Sequence, residues 1–254
     1  PPITKTGNTM QFLHFTLKSS QQLFKLFASV IVLASMVACG GNPYVESADR
    51  NEVVTVGDSI YDLSGEIQLF LEQKAGQTFR NYTQSGAKLT GGSLATAVNV
   101  QYADARATDA NISTMVMNGG GNDILLPAIL SFDPYNCKTT WYRKNLSDKC
   151  KSLIEDVYVT DVNLLNQMGN DGINDIIYLG YYHTTGNRAN LNQAVDYGVN
   201  RLSDACANTT ANCTFVESRD TILSSDVLDD GIHPTASGSQ KLADLIWPHL
   251  QPLL

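Results

Sequence analysis

From residue 53 onward the chain alternates short apolar, β-branched runs with stretches whose apolar residues recur at helical spacing, and this alternation restricts the fold more than any other feature. Residues 53–56, 79–82, 112–118, 175–182 and 213–216 read as strands. Residues 63–74, 94–109, 153–168, 191–205 and 237–249 read as helices, the last closed by Pro252. A strand that reaches the next strand through a helix runs parallel to it, and the helices then cover both faces of the sheet. The expected fold class is therefore α/β, a three-layer α/β/α sandwich around a central, mostly parallel sheet. Ligands of such sheets bind beyond the carboxyl ends of the strands, so chemistry is expected in the loops that follow them. The 254 residues suffice for one such domain, placed at residues 53–254, and show no internal repeat.

Residues 1–39 have a different character. After Met10 come Lys18 and Lys25, then an apolar run from residue 26 to 38 that ends at Cys39. These are the n-region, h-region and cleavage site of a signal peptide, and a run of about 13 residues falls short of the roughly 20 that span a bilayer. Met36, Val37, Ala38, Cys39 and Gly40 resemble a bacterial lipobox with Met where Leu is usual, which implies lipidation of Cys39. The alternative is an ordinary secretory signal in which Cys39 is incidental. Residues 40–52 are polar and read as a flexible tether. The remaining cysteines fall into two close pairs, Cys137 with Cys150 and Cys206 with Cys213, each spaced to close a short loop in an oxidising compartment. Four cysteines allow three pairings, of which the local one is preferred. The expectation is an exported monomer, a cell-envelope lipoprotein of the outer membrane or periplasm, or a secreted protein if Cys39 carries no lipid; membrane contact would come only through that anchor. A net charge of -8 offers no basic stripe for nucleic acid. No zinc-binding spacing occurs, and no metal is expected.

Gly57, Asp58, Ser59 and Ile60 directly follow the first strand and precede a helix, which puts a serine hydroxyl at the carboxyl edge of the sheet near a helix N-terminus. Alone, the triplet reads more readily as a structural turn. Three further segments stand in register with the same pattern: Ser85, Gly86 and Ala87 after the second strand; Gly120, Gly121, Asn122 and Asp123 after the third; and Asp230, Gly231, Ile232, His233 and Pro234 near the carboxyl terminus. Together the four segments resemble the signature blocks of the SGNH/GDSL hydrolases, over nearly all of residues 53–254. The resemblance implies a flavodoxin-like sandwich and a serine hydrolase that works without a cofactor. It makes Ser59 the nucleophile, His233 the base and Asp230 the group that orients His233. The oxyanion donors it implies are the N–H groups of Ser59 and Gly86 and the side-chain amide of Asn122. The implied substrate is a carboxylic ester, with a short-chain acyl, aryl or lipid group, cleaved through an acyl-enzyme. A carbohydrate O-acetyl ester is the alternative substrate, and a surface-binding lipoprotein without turnover is the reading from another class.

Other residues invite assignment. Gly169, Asn170 and Asp171 repeat part of the third block but carry Met168 where it requires Gly, so they read as a helix-ending turn. Asp171, Asn174 and Asp175 lack the later Glu of a calcium loop and read as a solvated turn. His183 lacks the D-x-x-H context and reads as a loop or substrate-side residue, and His249 as a surface residue. Asp58 is expected to bond locally to the backbone. Asp229 is one position out of register to orient His233. Residues 126–151, with Tyr135, Trp141 and Tyr142, are the expected wall that selects the acyl or alcohol group.

Overall fold

The computed structural model describes residues 44–254 apart from 90, 93, 94 and 131. The expected signal peptide, the Cys39 lipidation site and the first four residues of the tether lie outside the described residues.

Five strands form one sheet: β1 (Arg50–Val56), β2 (Phe79–Asn81), β3 (Thr114–Met117), β4 (Asp175–Leu179) and β5 (Cys213–Val216). They lie in the order β2-β1-β3-β4-β5, and every pairing is parallel. The inner strands are apolar on both faces because each face meets helices. Val54, Val56, Met115, Met117, Ile176 and Tyr178 point to one side. There they pack on α3 (Val98–Thr108), α5 (Asp148–Asn170) and α6 (Asn192–Asn208) through Tyr102, Leu165 and Ala205. Val53, Val116, Ile177 and Leu179 alternate to the other side. They meet α2 (Glu66–Ala75) and α7 (Ala236–Leu250) through Ile67, Leu71, Leu242 and Ile246. Each such side chain, fully removed from water, contributes about 1.5–3 kcal/mol before chain entropy is charged against it. The architecture is the expected three-layer α/β/α sandwich.

The strand order places the site. From β1 the chain moves outward to β2, then crosses back to β3 on the other side of β1, so the loops after β1 and β3 diverge and leave a crevice between them. Ser59 follows β1 and Asn122 follows β3.

Several boundaries differ from expectation for identifiable reasons. The helix expected at residues 63–74 is α2, which starts later, at Glu66, behind Gly65 with its left-handed φ of 68°, and a separate single turn, α1 (Ser59–Asp62), precedes it. Strand β1 starts at Arg50, and Val45 pairs with Asn81, so this part of the expected tether lies against the domain. Helix α4 (Gly121–Leu130) occupies a region where no helix was expected. Both disulfides take the local pairing, Cys137 with Cys150 and Cys206 with Cys213.

Candidate active site

The turn that carries Ser59 is fastened from two sides. Gln101 on α3 accepts the Gly57 N–H at 2.8 Å and donates its amide to the Gly57 carbonyl at 2.9 Å. Asn118, directly after β3, accepts the Asp58 N–H at 2.9 Å and donates to the Asp58 carboxylate at 2.8 Å. A side chain at Gly57 would put its Cβ 2.0 Å from Asn118 Oδ1, so only glycine allows this clasp. Asp58 also accepts the Ile60 N–H at 3.0 Å, the local bonding expected of it, and in addition the Tyr181 hydroxyl at 2.6 Å. Burial pushes the Asp58 carboxyl up, against the pull of Tyr181, the Ile60 N–H, Asn118 and His233. Helix α1 has only four residues, so the expected help from a helix dipole is slight here and individual N–H groups matter more.

His233 comes to Ser59 on the loop between β5 and α7. The loop is folded back on itself by the Leu228 N–H donating to the His233 carbonyl and the Gly231 N–H donating to the Leu228 carbonyl. Tyr182 donates its hydroxyl to the Ile232 carbonyl at 2.7 Å and pins the loop to the end of β4. Asp230 Oδ1 accepts the N–H groups of Ile232 and His233, and its Oδ2 lies 2.6 Å from His233 Nδ1. His233 Nε2 lies 2.9 Å from Ser59 Oγ. With the ring proton on Nδ1 facing Asp230, Nε2 is left to accept the serine proton. Burial works against the charge on Asp230, but the His233 ring and the two N–H groups outweigh it and hold the carboxyl down at about 2. Asp229, the out-of-register neighbour, is exposed.

Of the three expected oxyanion donors, Ser59 and Asn122 line one cavity, and Gly86 precedes Ala87, whose carbonyl Asn122 holds. The Ser59 and Gly86 N–H groups have no acceptor among the described residues. Ser85 donates its N–H and hydroxyl to Asp62 at 2.7 and 2.6 Å, which ties the Gly86 loop to α1. Asn122 is buried and donates to the Ala87 carbonyl at 3.0 Å, one residue beyond Gly86, leaving its second amide hydrogen for the cleft. Tyr181 joins the two sides of the crevice, because the hydroxyl that it donates to Asp58 also accepts the Gly121 N–H at 3.1 Å. Tyr181, Asn118 and Gln101 were not anticipated; of these, Asn118 left a trace in the sequence, as a polar residue closing an apolar strand just before Gly119.

A cavity of about 830 Å³, part of it open to solvent, begins at Ser59 and Asn122 and extends among three helices. Ile124 and Leu125 of α4, Ile154 and Val157 of α5, and Ala194, Gly198 and Leu202 of α6 give it an almost wholly apolar lining. Tyr135, Trp141 and Tyr142 do not line it. The disulfide loop stands behind the wall instead, with Cys137 and Cys150 packed against Ile154, Leu191 and Ala194.

The remaining candidates lie elsewhere. His183 pairs with Asp196 at 2.8 Å and takes no part in the chain of bonds to Ser59. Asp171 caps α5 and accepts the Tyr102 hydroxyl, and Asp175 accepts from Asn212. His249 is exposed in the last turn of α7. No cluster of three or more metal-ligating side chains occurs among the described residues.

A 2-1-3-4-5 parallel sheet with a serine after β1, an asparagine after β3 and an Asp-x-x-His loop before the last helix defines the SGNH/GDSL hydrolase fold, and this chain has that fold. No protein-family model matches the sequence, and no curated protein matches it. Solved structures do. TesA superposes with a TM-score of 0.55 at 18% identity, covering 80% of this chain and 99% of TesA. Axe2, an acetylxylan esterase from Geobacillus stearothermophilus, gives 0.53 at 14% identity over 78% of this chain and 93% of its own. A protein from Slackia heliotrinireducens assigned as an SGNH hydrolase gives 0.50 at 12% identity over 78% and 97%.

Proposed function

We propose that the protein is a serine hydrolase that cleaves carboxylic esters through an acyl-enzyme. The observation that carries this reading is the unbroken run from Asp230 through His233 to Ser59 at the mouth of an apolar cavity. Ser59 Oγ attacks the ester carbonyl as His233 Nε2 takes its proton, and the charge that develops on the ring is matched by Asp230. The carbonyl oxygen, now negative, is met by the N–H groups of Ser59 and Gly86 and the amide of Asn122. His233 returns the proton to the departing alkoxide, and the alcohol leaves. Water, deprotonated by His233, attacks the acyl-enzyme in the same way and releases the carboxylic acid. Each step uses groups that the chain itself supplies.

The second reading, hydrolysis of O-acetyl groups on a polysaccharide, draws on the likeness to an acetylxylan esterase. The cavity favours the first, since an acetyl group needs no long apolar recess. Two disulfides support export to an oxidising compartment, and with it the signal peptide read in residues 1–39 and lipid attachment at Cys39. We take the active species to be the monomer.

The test is hydrolysis of p-nitrophenyl esters from acetate to decanoate by the protein and by Ser59→Ala and His233→Ala. The expected result is turnover that rises with chain length and falls by a factor on the order of 10⁴ or more in both variants. Activity confined to acetylated xylan would move the assignment to the glycan reading, and activity that survives Ser59→Ala would overturn the mechanism.

A further inference from the structure

The segment that follows α4 does not line the cavity, yet it is the most apolar exposed part of the domain. Phe132, Trp141 and Tyr142 stand 106%, 87% and 69% exposed, and Leu130 and Tyr135 are exposed beside them in sequence. Exposed aromatic side chains are ordinary on a mobile loop, but this loop is held. The Cys137–Cys150 disulfide closes it. Arg143 fastens it from within, donating to the Lys138 carbonyl at 2.7 Å and to Asn136 Oδ1 at 2.9 Å. Thr139 donates its N–H and hydroxyl to the Asn190 carbonyl, and Gln193 donates to the Lys144 carbonyl, so the loop is also bolted to the start of α6. A rigid loop that keeps an indole and a phenyl ring in water holds unburied apolar area that a partner can cover.

Charge narrows the partner. Between residues 132 and 151 the chain carries Lys138, Arg143, Lys144, Lys149 and Lys151 against Asp133 and Asp148, a basic excess on a chain of net charge -8. Lys138, Lys144 and Lys149 have no ion-pair partner among the described residues. Aromatic rings that sit at headgroup depth, flanked by lysines that meet anionic headgroups, are what a lipid–water interface takes. A neutral glycan would use the rings and leave the lysines without a role. The inner side of the same loop packs on Ile154, Leu191 and Ala194, which also line the cavity at Ser59. We propose that residues 132–151 dock the domain on an anionic phospholipid surface, with Phe132, Trp141 and Tyr142 entering the headgroup layer and Lys138, Lys144 and Lys149 paired with lipid phosphates. The ester then enters the cavity from that surface. This last step rests on the ester-hydrolase reading; the docking does not.

The chain has two tryptophans, and the other, Trp247, is partly buried in the core, so the fluorescence that distinguishes the protein from Trp141→Phe belongs to the loop. The full chain is titrated with phosphatidylcholine vesicles with and without phosphatidylglycerol, and Trp141 emission is followed together with its quenching by brominated acyl chains. Every variant carries the same N-terminal segment, so differences between variants report the loop alone. The expected result is a blue shift and quenching on the anionic vesicles only, weakened by salt. At about fivefold per lysine, the combined Lys138→Gln, Lys144→Gln and Lys149→Gln variant loses roughly a hundredfold in apparent affinity. That variant is expected to keep its turnover of a dissolved short-chain ester, and Ser59→Ala to dock as the parent does. Loss of dissolved-ester turnover in the parent would sink the hydrolase reading and leave the docking untouched. No shift on anionic vesicles, an equal shift on neutral ones, or a shift on insoluble acetylated xylan instead would overturn the proposal.

Discussion

Asp230 holds His233 through both the ring and the backbone, since one carboxylate oxygen takes Nδ1 and the other takes the N–H groups of His233 and Ile232. Replacing it by asparagine keeps the size and some of the backbone bonds, but the amide can present its N–H to Nδ1 and so favours the wrong tautomer, besides removing the charge that balances the imidazolium. Asp230→Asn is therefore expected to lower kcat by about 10³–10⁴ with KM nearly unchanged and with an undisturbed circular dichroism spectrum. A fall in KM-dependent terms alone would place Asp230 in binding rather than in proton transfer. The residues proposed to act here, Ser59, Gly86, Asn122, Asp230 and His233, were legible in the sequence through the resemblance of their four segments to the SGNH/GDSL blocks, each segment being short enough to stand out within a few positions. Tyr181 was not visible, because what gives it meaning is Asp58, 123 residues away, and nothing local to Tyr181 marks that contact.

At the level of elements the cavity depends on how closely α6 approaches α4. Gly198 on α6 has room for a Cβ, which would sit 3.5 Å from Ile124 Cδ1, so alanine fits by ordinary contact while a leucine side chain has to enter the cavity. Gly198→Leu is expected to cut hydrolysis of decanoate esters at least about tenfold while acetate turnover stays within about threefold, since lost acyl contacts weigh on the long ester alone. Parallel losses on both esters, measured at equal protein stability, would mean that the acyl chain lies elsewhere. The same region shows why one element was missed. Helix α4 opens on glycine and contains Pro127, two features that weaken a helix by propensity, so no helix was expected there. Burial of Ala128, and the use of Ile124 and Leu125 as cavity wall, override that propensity through tertiary packing. Strands β3, β4 and β5 and the Val53–Val56 part of β1 were legible because β-branched and apolar residues run through them, but the polar start of β1 at Arg50–Glu52 was not, and β2, Phe-Arg-Asn, was marked by little more than Phe79; the late start of α2 turns on Gly65, a single left-handed residue within an otherwise helical pattern.

For the molecule as a whole, two sets of carboxyl groups set opposite limits on stability against pH. Glu217, Asp226, Asp230 and Asp244 have their ionisation favoured by Arg219, Lys241, His233 and Lys74 respectively, so their contribution is present above the ordinary carboxylate range and is lost as pH falls below it. Asp161 works the other way. It lies fully buried in the middle of α5, neither of its oxygens has a hydrogen-bond partner among the described residues, and the Tyr178 hydroxyl beside it donates to the Gly119 carbonyl. Burial, reinforced by the charge of Asp123, pushes its carboxyl well up, in spite of Tyr178. The folded state then binds a proton that the unfolded state releases, so stability is fully present below about pH 4 and drains away as pH rises towards the raised value. A residue that never ionises removes this drain: Asp161→Asn is expected to melt higher than the parent at pH 8 and to show little gain at pH 4.5, because the amide stays buried and unpaired at both pH values and only the proton held by the parent changes the difference. Calorimetric melting of both proteins across pH 4–9 measures the two limbs together. An equal shift at every pH would show that packing rather than charge at residue 161 is responsible, and a loss confined to pH 8 would mean that Asp161 is ionised and paired in the folded protein.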